Sequence, residues 1–432
     1  MRQSSDDHCR AEFTLLNLRF RVMKFSPPKA PALLFAGVAT FLAGCKQPDF
    51  PQYPANYREY VYVANGQSGT LTVLDAVNLR LDREIRVGQN PVAVAASPTR
   101  NEVYVVNAGA NSGQGSVTVV NAENNSVVTN IPVLVAPVSI EVGPDGKLAW
   151  VANSGSNAVS VLDLTSRREI ARISAGREPV AARLSADGKT LVVANRGDGS
   201  ASIFDAPAGR LRRVFGDCPG ADDVAILPDS SKAFVSCSAG HQVMSIVLAH
   251  GATNATPGSG TQQASAQAQL GATQTGAAQP DRLAAFMDVG LAPVQLALKP
   301  DGGELFVSNS ASNTISEAVT NSDDVGGAYL MGDDPIRGLV SRDNLMLYEA
   351  NFKSQYVTIY SIEDGKRLMS VHVGDGPSAM AFNAAGNLLF VVDNRSSDVA
   401  VIRTRTAKPE LFTLLPTGRG PNAIAVKSFS VQ

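Results

Sequence analysis

The side chains able to do chemistry are few and scattered. The chain has four histidines, His8, His241, His250 and His372, and four cysteines, Cys9, Cys45, Cys218 and Cys237. No two histidines stand at metal-ligand spacing, and no Walker loop, nucleophile elbow or Ser-His-Asp order assembles around them. Cys218, Cys237 and His241 make an incomplete zinc set; a Cys218–Cys237 disulfide is the competing reading. The expectation is a protein with no catalytic residues, no metal and no cofactor. One polar set remains. Asp223, Gln295 and Arg337 share a recurrent slot that elsewhere holds Ala93, Ser139, Ala181, Ala379 and Ala423. Together with His241 they are the candidate ligand-binding residues. Two positions further along, Glu141 and Arg183 face each other across one repeat. The plainer reading is solvated charges and a single Glu141–Arg183 ion pair.

That slot exists because the chain repeats. Asn65, Asn107, Asn153, Asn195, Cys237, Asn309, Asn351 and Asp393 each end an apolar run, at steps of 42, 46, 42, 42, 72, 42 and 42. Pro91, Pro137, Pro179, Pro293, Pro335 and Pro377 lie 16 residues before their partners, and Ala221 fills the slot ahead of Cys237. A glycine precedes the proline by three at Gly88, Gly176, Gly290, Gly332, Gly374 and Gly418, while Leu134 and Cys218 depart from it. Short β-branched runs separated by Pro-Asp-Gly and Ala-Asp-Gly turns read as antiparallel strands. Four strands in about 42 residues is the period of a propeller blade.

Eight ruler positions predict an all-β propeller of eight four-stranded blades, with seven as the alternative. The first unit lacks a leading strand, and the segment from Gly418 to Val426 is a leading strand with no blade after it. The C-terminal strand is therefore expected to pair with the N-terminal hairpin and close the ring, removing the open sheet edges. The inner and middle strands of one blade are neighbours, which places Cys218 beside Cys237 and favours the disulfide.

The runs Val61-Tyr62-Val63-Ala64-Asn65, Val103-Tyr104-Val105-Val106-Asn107 and Trp150-Val151-Ala152-Asn153 resemble the YVTN repeat of bacterial and archaeal β-propeller proteins. The resemblance covers residues 60–426 apart from one insert. It implies the propeller fold; some relatives of that fold carry haem d1 or open lactones, and some YVTN-type relatives bind single-stranded DNA.

Before the propeller, Met23-Lys24 and Lys29 precede an apolar stretch over residues 30–41, too short for a comfortable membrane span, followed by Leu42-Ala43-Gly44-Cys45. This resembles the lipobox of bacterial lipoproteins, which implies a start at Met23, a leader over 1–45 and lipid attachment at Cys45. Lys46 after the cysteine resembles sorting to the outer membrane, facing periplasm or exterior. Residues 46–58 read as a tether and 59–432 as the propeller. Residues 249–283 read as a disordered, Gln- and Ala-rich insert. A net charge of −2 and a pI near 6.1 argue against a nucleic-acid surface built on bulk charge. The expectation is a monomeric, lipid-anchored envelope protein that binds a protein or glycan through its loop face. The alternative is a lactonase- or haem d1-type propeller, with single-stranded DNA binding third.

Overall fold

The computed structural model describes residues 53–110, 113–206, 208–249, 280–406 and 408–431. Met23, Cys45 and most of the low-complexity insert lie outside them. From Tyr53 onward the chain forms eight antiparallel sheets of four strands each. The inner strands, in ring order, are Pro421–Ser430, Pro91–Ala96, Pro137–Val142, Pro179–Leu184, Ala221–Ile226, Pro293–Leu298, Pro335–Val340 and Pro377–Phe382. Each packs on the inner strand of the next blade. Blades are numbered one to eight in that order. The sole helical element among the described residues is a 3-10 turn, Ser154–Ser156.

Blade one has the mixed origin that the repeat arithmetic requires. Its order from outside to inside is Arg80–Arg86, Thr70–Asp75, Tyr57–Asn65 and then Pro421–Ser430 from the far end of the chain. Pairing runs from Tyr57 opposite Ser430 to Asn65 opposite Pro421. Tyr57 and Arg58, read from sequence as tether, are therefore strand, because the C-terminal strand is long enough to pair with them. The outer strand of blade five likewise begins at Arg282, inside the span read as insert.

Burial explains the sequence pattern. Middle strands such as Glu102–Asn107 and Leu388–Asp393 are buried along their whole length, since a neighbouring blade covers each face. They read as unbroken apolar runs for that reason. The apolar clusters lie between blades: Val61 and Val63 of blade one pack with Phe390 and Val392 of blade eight. The described propeller begins and ends on the face of the Asp-Gly turns, where Glu59 accepts the Ala384 amide of a blade-eight turn at 2.5 Å.

The ruler asparagines form a repeated clasp. Asn107 accepts the Gly88 amide at 3.1 Å and donates to Thr118 Oγ1 at 2.9 Å; Asn195 does the same with Gly176 and Ser202, and Asn351 with Gly332 and Thr358. The glycine is needed for closeness: a Cβ on Gly88 would sit 2.5 Å from Asn107 Cγ. In blade five both partners are replaced, and Cys218 is bonded to Cys237 across the same 19-residue separation, with Cα atoms 4.8 Å apart. The hydroxyl that would meet the asparagine is gone as well, its position holding Met244.

Candidate functional site

The eight inner strands enclose an axial channel with a cavity of about 420 Å³. Its wall is asymmetric. Arg183, Asp223, Gln295 and Arg337 line it from four successive blades, four to seven, while Ala379, Ala423, Ala93 and Ser139 complete the ring with Met380 and Ile424 beside them. One side thus carries the charged groups and the other small, mostly apolar side chains.

The charged side is partly self-neutralised. Arg183 lies between two carboxylates, 3.8 Å from Glu141 and 3.5 Å from Asp223. The pair expected from sequence is present, and Asp223 joins it. Burial raises the Glu141 pKa, and Arg183 only partly opposes this. Asp223 also accepts the Leu296 amide at 3.2 Å, which ties blade five to blade six. Its own amide leaves the regular ladder and donates to Ser236 Oγ at 2.9 Å, within an inner-strand bulge that spans Ala221 to Val224. Gln295 is buried; Oε1 accepts the Gly338 amide at 2.7 Å and Nε2 donates to the Leu296 carbonyl at 2.8 Å. Asp223 and Gln295 therefore stitch neighbouring blades together. Arg337 differs: it is exposed in the channel wall, and its guanidinium has no ion pair among the described residues.

His241 is not part of this channel. It sits exposed in the loop after Cys237, and Nδ1 accepts the Ala292 amide at 3.2 Å. Cys218 and Cys237 are consumed by their bond, so no Cys-Cys-His ligand set forms. Among the described residues no three histidine, cysteine or acidic side chains converge as metal ligands. Around the mouth, Arg196 pairs with Asp222, Arg177 with Asp198 at 2.6 Å, and Arg395 with Asp375 at 3.6 Å while stacking on Phe352.

Two acidic positions escaped the reading of the sequence, although each breaks a column of the repeat. Two residues before the ruler, seven blades carry valine (Val63, Val105, Val151, Val193, Val235, Val307 and Val391), whereas blade seven carries Glu349. It is fully buried. The second is Asp393, which takes the asparagine slot in blade eight. It still accepts the Gly374 amide, at 3.0 Å. Its donor function is lost along with the usual hydroxyl, replaced by Ala400, and it faces Asp398 instead. Burial and the Asp398 carboxylate push Asp393 up to about 9.

A raised carboxylate stabilises the fold at low pH. Folded Asp393 keeps a proton that the unfolded chain releases near 4, so stability falls as pH rises from there to about 9. The Asp393→Asn variant restores the clasp with an amide that donates to Asp398. It is expected to melt a few degrees above wild type at pH 8 and to match it at pH 4, as read by thermal unfolding at both pH values.

The fold and channel define a β-propeller with a ligand-sized axial cavity. Comparisons with protein-family models and with curated proteins find no match. Solved structures share the fold. The dihydro-heme d1 dehydrogenase NirN, in complex with DHE, is 16% identical over 88% of this chain and 76% of its own, with a TM-score of 0.64. A putative 6-phosphogluconolactonase from Bacteroides uniformis is 12% identical over 86% of this chain and 100% of its own, at 0.56. Hydrazine synthase of Kuenenia stuttgartiensis is 21% identical over 80% and 92%, at 0.51. At such identities the likeness concerns the fold alone.

Proposed function

We propose that this chain is a YVTN-type propeller of the bacterial envelope, lipid-anchored through Cys45, that acts as a binding protein without catalysis. Its partner docks on the face carrying the asparagine loops and places a group in the channel mouth. The observation that carries this reading is the one-sided wall of the channel: an arc of charged and polar side chains on four adjacent blades opposite an arc of small, mostly alanine side chains. Polar groups that hold a ligand in orientation, set against apolar surface, are how such cavities bind. Tyr53, the first described residue, lies on the opposite face, beside the Asn383 turn.

The test is capture from native envelopes in mild detergent with a C-terminally tagged chain, with a visible spectrum of the same sample. The expected result is a stoichiometric partner without visible absorbance that is lost when Arg196 and Arg395, on opposite sides of the mouth, are both changed to alanine. A bound chromophore, or a partner indifferent to those changes, would overturn the reading.

A further inference from the structure

The valine column breaks at one blade, and the inner strand beside it breaks too. Glu349 pairs across the sheet with Gly338. The other blades put Val94, Ile140, Ala182, Val224, Leu296, Met380 and Ile424 where Gly338 stands. A Cβ on Gly338 would lie 2.8 Å from Glu349 Oε2. The missing side chain on one strand thus makes the room for a carboxyl group on the next. Large-for-small exchange of this kind keeps the packing filled, but it places an ionisable group where its neighbours have a hydrocarbon.

Neither Glu349 oxygen has a hydrogen bond. The Ser308 hydroxyl and the Arg337 amide lie near enough to favour the charged form without reaching hydrogen-bond geometry. Gln295 and Ser308 from blade six, and Thr358 from blade seven, are the other polar groups on the strands around it, and they are neutral. Arg337 is the one charged group acting on Glu349. Burial nevertheless dominates, and pushes Glu349 up to about 8. At neutral pH it is therefore mainly uncharged, which leaves Arg337 as an uncompensated cation in the channel wall, beside the alanine arc that begins at Ala379 of the next blade.

We propose that Arg337 receives the anionic head of the channel ligand, a carboxylate with an apolar body, and that Glu349 behind it must be protonated for tight binding. This rests on the binding reading above and names its ligand class. The apolar body lies against Ala93, Ala379, Met380, Ala423 and Ile424; the head meets Arg337. When Glu349 ionises, its charge occupies Arg337 from behind and repels the ligand head. Any proton taken up on binding comes from solvent.

The experiment is equilibrium dialysis of radiolabelled hexanoate against the purified full chain, with methyl hexanoate as the uncharged control. Wild type is expected to bind hexanoate and not the ester, about tenfold more weakly at pH 9 than at pH 7, the loss that linkage gives for a required proton leaving at about 8. Glu349→Val, which installs the residue of the other seven blades, is expected to bind with no pH dependence. Arg337→Gln is expected to lose binding at both pH values while melting like wild type. Hexanoate bound equally by Arg337→Gln, a pH slope that survives in Glu349→Val, or no hexanoate bound by wild type would each overturn the proposal. In the last case, envelope capture that still depends on Arg196 and Arg395 would leave the loop-face reading standing and remove the anion site alone.

Discussion

A chain ending at Thr417 is expected not to fold as a soluble monomer. The deleted residues, 418–432, supply the whole inner strand of blade one, paired from Tyr57 to Asn65 along the first strand of the chain. Ile424 and Val426 pack into the core shared with blade eight, and Ala423 and Phe429 into the core shared with blade two. Deleting one large, fully buried apolar side chain costs about 2–5 kcal/mol, and these half-buried ones less each. Their summed loss, with that of the strand pairing, is comparable to the roughly 5–15 kcal/mol by which domains are stable. The truncation also opens the ring, leaving an unpaired strand edge with Val61 and Val63 behind it, and such edges pair with other chains. Size-exclusion chromatography and circular-dichroism melting of the truncated chain decide it. A monomer with a cooperative melt near the wild-type temperature would show that the N-terminal hairpin closes the ring without its partner.

The second large effect is expected at blade five. Replacing Cys218 and Cys237 together by serine should cost about 3 kcal/mol, the loop-closure entropy of a cross-link over some twenty residues. For a domain of this size that corresponds to a fall in melting temperature of roughly 3–5 °C. Both cysteines are fully buried, so the serine hydroxyls enter a site closed to solvent. Changing the pair to the Gly and Asn of the other blades is expected to recover only part of the loss. The Gly-Asn amide bond can re-form, but Met244 stands where the asparagine would need a hydroxyl. Melting curves of wild type, the double-serine variant and the Gly-Asn variant should therefore fall in the order wild type, Gly-Asn, double serine. A double-serine protein as stable as wild type would mean that the bond contributes nothing beyond the packing around it.

The clasp also marks how far the residues alone could be read. Gly88 to Asn107, Gly176 to Asn195 and Gly332 to Asn351 each span 19 positions within one blade, and their geometry is set by one hairpin and one turn. Interactions of that range repeat with the sequence period. The blade count, the paired cysteines in the clasp positions and the ring closure were therefore legible, because each follows from counting strands and matching the leftover pieces. The break in the valine column at Glu349 and the acid at Asp393 were visible in the same alignment of repeats. Only burial showed what an acid there would do.

The channel was decided elsewhere. Arg183 meets Glu141 and Asp223, one blade behind and one ahead; Asp223 reaches Leu296, and Gln295 reaches Gly338. Each contact depends on the angle between neighbouring blades and on the bulge that turns Asp223 out of its ladder. Sequence spacing placed Asp223, Gln295 and Arg337 around one axis, since the period determines where each blade begins. Tertiary structure alone decided that two of them are spent holding blades together while Arg337 stays free, because a side chain's partners are set by distances across the ring, and those do not repeat with the chain.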